Sequence, residues 1–117
     1  MKTTVTKTDI HKLLSKLGFR RHLKGYVYIT QLVLMMLTGD VKEGYLCKFG
    51  YTKVARKCGS TDVNVERAVR HSISSAYDRN PMLFITEFGF YERPSNLELL
   101  TSVAEYFKDM TDGLLAM

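Results

Sequence analysis

Apolar residues at three- and four-residue intervals recur along most of the chain, and this spacing constrains the fold more than any other feature. The clearest example is STDVNVERAVRHSISSAYDR (60–79), where apolar and small side chains repeat with the period of an α-helix. These side chains are Val65, Ala68, Val69, Ser72, Ile73 and Ala76. Because a helical period does not suit a strand, the pattern predicts an all-α fold.

Glycine and proline residues divide the pattern into about six helices, and the 117 residues fit one domain. The predicted helical segments are 8–18, 25–40, 51–58, 62–77, 81–90 and 96–110. Segment 25–40 contains β-branched residues that favour a strand, but its length and its leucines and methionines favour a buried helix. Segment 41–50 is expected to be a loop or a short helical turn. The ordered core is expected over about 8–109, with 110–117 as a frayed tail.

Side chains that favour helix N-caps precede two of the predicted helices. A hydroxyl or carboxylate oxygen at this position accepts a hydrogen bond from the first turn of the helix. The candidates are Thr8 and Asp9 for the first helix, and Ser60, Thr61 and Asp62 for the fourth.

Cysteine and histidine residues are few and widely spaced. Cys47 and Cys58 are expected to be free thiols packed like small hydrophobic side chains, with Cys58 on the core face of its helix. Neither CxxC nor HxxxH spacing occurs, and no glycine-rich phosphate loop is present. The sequence therefore predicts no metal site and no cofactor.

The apolar segments are too short for a membrane protein. None of them reaches the roughly 18 residues that a transmembrane helix needs, and the N-terminus has no apolar signal core. We therefore expect a cytoplasmic protein, associated with the nucleoid, that has no membrane partner.

Charge is distributed unevenly along the chain. Residues 1–79 carry 15 basic and 6 acidic side chains, a balance of +9, whereas residues 80–117 carry 2 basic and 6 acidic ones, a balance of −4. Such a field favours a polyanionic partner, of which nucleic acid is the commonest. An anionic membrane surface and a charge that only keeps the protein soluble are the alternatives.

Segments 51–58 and 62–77 are joined by a short turn at Gly59 and predict a helix-turn-helix. In this motif the second helix lies in the major groove, with its N-terminal half against the base edges. The side chains opposite its apolar stripe carry the donors and acceptors that base edges require. The predicted base-reading residues are Asn64, Glu66, Arg67, Arg70 and His71.

A second group of polar and basic side chains is predicted to contact DNA phosphates, which fix the register of the protein. These residues are Lys53, Arg56, Lys57, Ser60, Thr61 and Ser74. An accessory basic cluster consists of Arg20, Arg21, His22 and Lys24. The alternative for both groups is a solvated surface on which Glu66 and Arg70, four residues apart, form an ordinary ion pair.

Three stretches, HLKGYVYITQLV (22–33), YTKVARKCGSTDVNVERAVRHSI (51–73) and RPSNLELLTSVAEYF (93–107), resemble the C-terminal DNA-binding domain of the sporulation response regulator family of endospore-forming Firmicutes. VERAVRH (65–71) is the most specific piece and resembles the recognition helix of that family. The resemblance implies six helices with a helix-turn-helix and a DNA box of the TGTCGAA type. It also implies base or phosphate contacts for Glu66, Arg67, Arg70 and His71.

The chain departs from that family in two respects. It contains no phosphoacceptor receiver domain, so we expect either a fragment or a stand-alone relative. Asn64 stands where the family often has a basic residue, which affects the exact target sequence.

The overall prediction is a non-enzymatic transcription regulator that binds double-stranded DNA. Its further partners would be RNA polymerase or a sigma factor, and a second copy on tandem boxes. The alternative is a module that has lost DNA binding and acts as an antagonist by pairing with a homologous regulator.

Overall fold

The computed structural model describes residues 5–39 and 49–116, with side chains described as far as residue 109. These residues form six α-helices and no strand. The helices are α1 (Lys7–Lys16), α2 (Lys24–Thr38), α3 (Tyr51–Cys58), α4 (Asp62–Arg79), α5 (Pro81–Phe88) and α6 (Asn96–Ala116). The predicted all-α fold is confirmed, and the ambiguous segment 25–40 is helical.

Two sequence predictions fall largely outside this description. Residues 41–48, most of the expected loop, and Cys47 within them are outside the described residues. The side chains of 110–117 are outside them as well, so the expected fraying of that tail stays a prediction.

α1 begins two or three residues earlier than its predicted caps suggest. Its N-cap is Thr6, whose hydroxyl oxygen accepts from the Asp9 backbone N–H at 3.3 Å, while the Asp9 carboxylate accepts from the Thr6 backbone N–H at 2.9 Å. This is a capping box, in which Asp9 is the third helical residue rather than the cap. The prediction of Thr8 or Asp9 as the cap was therefore wrong.

α2 lies at the centre of the molecule and packs against α1, α3, α4 and α6. Its large side chains, among them Tyr26, Ile29, Leu32 and Val33, are almost fully buried. A helix with neighbours on several sides needs apolar residues around most of its circumference, which explains why its sequence shows so little periodicity.

Gly25 allows α2 and α4 to approach each other closely. A Cβ atom at this position would collide with the carbonyl oxygen of Ala68 and the Oγ of Ser72, both in α4. The N-terminal end of α2 therefore touches the backbone of α4 directly, and this contact fixes where α4 lies.

Cys58, which was predicted to face the core, is exposed, and so is the first leucine of α6. Leu97 in the first turn of α6 is 43% exposed, while Leu100, Val103 and other residues further along the helix are buried. Cys58 is exposed at the end of α3, where the Nε2 of Gln31 donates to its Sγ at 3.7 Å. Both lie in the terminal turn of their helix.

Candidate nucleic-acid interface

α3 and α4 form the predicted helix-turn-helix. The last residue of α3 is followed by Gly59, whose backbone has a φ of 65°, and Thr61 then caps α4 by accepting from the Asn64 backbone N–H at 3.2 Å. Glycine suits the left-handed conformation that ends a helix so sharply. Tyr51, Val54 and Ala55 of α3 are buried, and α3 packs against α4.

α4 divides into a buried side and an exposed side as its sequence predicts. Its buried residues are Val65, Val69, Ser72, Ile73 and Ala76, and Ala68 is half-buried. On the opposite side Asn64, Arg67, Arg70 and His71 are exposed. Steps of three and four residues keep these four side chains on one continuous strip, which we call the reading face.

Glu66 is held by neighbours at one edge of the reading face. Its Oε1 lies 3.4 Å from the Nη2 of Arg70, and its Oε2 accepts from the Nδ2 of Asn96 at 3.3 Å. The same Asn96 nitrogen lies 3.1 Å from the Glu66 backbone oxygen and 3.2 Å from the Tyr51 Oη. The structure thus brings Glu66 and Arg70 together, and joins them to α3 and to the start of α6.

The residues predicted to contact phosphate lie around α3 and along α4. Lys53, Arg56 and Lys57 are exposed on α3, and Ser60 is half-buried in the turn. The oxygen of Thr61 is used in the cap, although its hydroxyl hydrogen can still be donated. These placements are compatible with phosphate contact, and the assignment stays a prediction.

Ser74 differs from the other predicted phosphate ligands because another element contacts it. It is half-buried two turns after Arg67, and its Oγ accepts from the Nη1 of Arg93 at 3.1 Å. Arg93 lies in the connection between α5 and α6, so it joins this surface from a distant part of the sequence.

The accessory basic cluster lies beside the other edge of the reading face. Arg20, Arg21, His22 and Lys24 are all exposed. Lys24 directly precedes Gly25, which touches α4 at Ala68. Gly18, two residues before Arg20, accepts from the guanidinium of Arg79 at the end of α4, so the cluster lies along the side of α4 that carries His71, over the C-terminal half of the helix.

Two exposed residues beside the predicted interface were not predicted from the sequence. Val63 is 52% exposed in the first turn of α4, where an apolar side chain can contact a thymine methyl group. Arg93 reaches α4 only through the tertiary fold, although a basic residue in the acidic third of the sequence was a signal that could have drawn attention to it.

The described residues contain no group of three or more histidine, cysteine or acidic side chains placed to hold a metal ion. Within the same residues, no helix combines the length and the hydropathy that are needed to cross a bilayer.

The sequence matches the protein family described as "Sporulation initiation factor Spo0A C terminal" over residues 10–107, which is most of the chain. The matched region includes all three stretches that carry the resemblance noted in the sequence, together with α3, α4 and the connection before α6.

Proposed function

The chain belongs to the Spo0A C-terminal family, the DNA-binding domains of sporulation initiation factors, and from this premise we propose that it reads a TGTCGAA-like box through α4. The regulation of transcription is the established role of such domains, which are not an enzyme family. The proposal concerns which side chains of this chain recognise DNA and which sequence they prefer.

The observation that carries the proposal is the strip of exposed donors opposite the buried side of α4. Asn64, Arg67 and His71 are exposed over the first half of the helix, the part that enters the major groove in this motif. A helix that only packed on the core would also carry polar residues on this side, but it would not need donors that match base edges.

Each side chain of the reading face has a chemical counterpart on a base edge. The guanidinium of Arg67 or Arg70 can donate two parallel hydrogen bonds to O6 and N7 of guanine, and Asn64 can pair with N6 and N7 of adenine. His71 can donate to an acceptor at the end of the box. Glu66 can accept from a cytosine amino group once its contacts with Arg70 and Asn96 give way.

Phosphate contacts would hold the reading face in register. Lys53, Arg56 and Lys57 supply charge beside the turn, and Ser60 and Thr61 supply hydroxyl donors. The cluster at 20–24 would contact the backbone beside His71 and the later turns of α4.

The mechanism we propose is positional. Occupancy of a promoter box recruits or blocks RNA polymerase with its sigma factor, and two copies bind where boxes stand in tandem. The protein then acts where the chromosome is, at the nucleoid in the cytoplasm.

The test is fluorescence anisotropy with two labelled duplexes, one containing a TGTCGAA-type box and one with the same bases scrambled. Each duplex is titrated at low and at near-physiological salt, because nonspecific binding loses affinity steeply as salt rises. We expect a preference for the box that persists at the higher salt concentration.

Equal binding to both duplexes that disappears with salt would contradict recognition of this box. The next measurement would then be sedimentation of the protein with a homologous DNA-binding domain, because pairing of the two without DNA would support an antagonist.

A further inference from the structure

The reading face is bordered by a different segment on each side. The basic cluster 20–24 lies along the edge that carries His71, and residues 93–96 lie along the edge that carries Glu66 and Ser74. A recognition helix in the major groove has a sugar–phosphate backbone on both sides. The second segment is therefore placed where the other backbone would pass.

Arg93 is the basic side chain of that second segment. It is exposed, and its Nη1 donates to the Oγ of Ser74. The Ser74 oxygen accepts this bond, which leaves its hydroxyl hydrogen for another acceptor. Arg93 retains further N–H groups. The two side chains can therefore donate several hydrogen bonds to one ligand at this point.

The backbone around Arg93 is held firmly. Pro94 is buried, and Ser95 caps α6 in a capping box with Glu98, where the two backbone-to-side-chain distances are 2.9 and 3.1 Å. Asn96 then joins the segment to Glu66 of α4. A side chain that projects from a fixed backbone loses less freedom when it binds a ligand.

We propose that Arg93 and Ser74 together bind one DNA phosphate beside the box, on the backbone opposite to the one that the 20–24 cluster contacts. This inference depends on the proposed function, since it assumes that α4 enters the major groove. An arginine beside a hydroxyl group suits a phosphate, whose oxygens accept from both.

The position along α4 fits this role. Ser74 follows Arg67 by seven residues, which is about 10 Å along the helix axis. A helix whose N-terminal half reaches the base edges brings its later turns toward the backbone, so a donor two turns after a base reader meets phosphate rather than bases.

Local charge alone would not produce this contact. Glu92 is exposed next to Arg93, so the connection has no net charge at this point. Binding here therefore depends on directed hydrogen bonds from the guanidinium, which lysine reproduces only in part.

The experiment measures the affinity of Arg93→Ala, Arg93→Lys and Lys108→Ala for the box and scrambled duplexes over a series of salt concentrations. Lys108 is the matched control, because it is the other basic residue after position 79 and is exposed in α6, fifteen residues after Arg93. Arg93→Ala should bind both duplexes about tenfold more weakly, and its slope of log K against log salt should fall by about 1. Arg93→Lys should keep the slope and lose part of the affinity.

A duplex series with one neutral methylphosphonate at a time then locates the contact. Neutralising a single phosphate flanking the box should weaken the unsubstituted protein and leave Arg93→Ala unaffected. Thermal unfolding of each variant checks that the fold is unchanged.

The inference would be overturned if Arg93→Ala kept the affinity and salt slope of the unsubstituted protein, or if Lys108→Ala changed them equally. In either case the box preference would still stand. If the unsubstituted protein bound no duplex at all, the proposed function and this inference would fall together.

Discussion

Asn96 illustrates at the scale of one residue how the interface depends on contacts made inside the protein. Its amide nitrogen lies within hydrogen-bond distance of three acceptors, the Tyr51 Oη and two oxygens of Glu66, but it has only two hydrogens to donate. One of the three bonds is always shared or weak. The Glu66 carboxylate oxygen is, at 3.3 Å, the most distant of the three acceptors, and it is the atom that the proposed contact with cytosine would use.

Replacement of Asn96 by alanine should destabilise the protein by about 1 kcal/mol, because it removes the donor that joins α6 to α3 and α4. Chemical denaturation measures this difference. The matched control is Asn64→Ala, which changes the same side chain at an exposed site and should stay within about 0.5 kcal/mol of the unsubstituted protein. Equal stability of the two variants would mean that the Asn96 contacts contribute nothing.

Arg67→Ala should remove most of the preference for the box while leaving some salt-sensitive binding. A two-bond arginine–guanine contact contributes about 2 kcal/mol of discrimination, and its loss affects only the correct sequence. The ratio of the affinities for the box and scrambled duplexes measures this effect. If Arg67→Ala kept the ratio of the unsubstituted protein, the assignment of Arg67 as a base reader would be wrong.

At this scale the sequence predicted which side chains of α4 are exposed, and it offered the ion pair of Glu66 with Arg70, but it did not predict the contacts that reach α4 from distant parts of the chain. The exposure of Arg67 and His71 follows from helical periodicity, which is local information. The contacts of Glu66 with Asn96 and of Ser74 with Arg93 join residues 30 and 19 positions apart, so they depend on how α6 docks.

At the scale of elements, the crossing of α2 and α4 determines how the recognition helix is presented. Gly25 meets the Ala68 carbonyl, which is part of the α4 backbone and cannot rotate away. Ser72 lies at the same crossing with its Oγ buried and, among the described residues, without a hydrogen-bond partner. The helices have approached so closely that a hydroxyl group is enclosed there unpaired.

Gly25→Ala should therefore destabilise the protein by about 2 kcal/mol, because the added methyl group forces α2 and α4 apart. Ser72→Ala should be neutral or slightly stabilising, since it removes an unpaired buried hydroxyl group. The double variant should remain destabilised because the Ala68 carbonyl is still in place. Thermal or denaturant unfolding of the three variants tests this, and full recovery in the double variant would show that Ser72 alone causes the collision.

The order of the helices and many of their ends could be predicted because glycine and proline mark them, whereas α6, predicted over 96–110, extends to Ala116. Gly18, Gly39, Gly59 and Gly89 all have positive φ angles at the ends of helices, and Pro81 begins α5. The N-caps were harder to place, since several adjacent residues share the same chemistry. The capping box of α6 also has a sequence signature, since Ser95 is followed by Glu98 three residues later.

At the scale of the whole molecule, charge and packing impose different requirements on the same chain. The first 79 residues carry +9 and the remainder −4, and both parts supply the single core in which α2 contacts α4 and α6. The field that attracts DNA comes from the first part, whereas Arg93 and Asn96 come from the second. Charge totals predicted the class of partner but gave no indication of the contact that we propose for Arg93 in the acidic part.

Lys57→Ala should weaken binding to the box and scrambled duplexes by a similar factor and lower the salt slope by about 1, because phosphate contacts are present in every duplex. Salt-dependent anisotropy measures both quantities. Lys16→Ala is the control, since the Lys16 ammonium is 3.2 Å from the Glu87 carboxylate and its charge is already compensated. A loss confined to the box duplex would instead place Lys57 among the base readers.

The contact at Gly25 also has a consequence for engineering this protein. The contact between α2 and α4 involves the backbone and the buried side of α4. It does not involve the side chains on the exposed side of that helix. Codons 64, 67 and 71 can therefore be randomised as a library on an unchanged scaffold, and variants selected for new operators should keep the parental melting temperature. α4 would in this sense be a fixed scaffold for a variable set of base-contacting side chains.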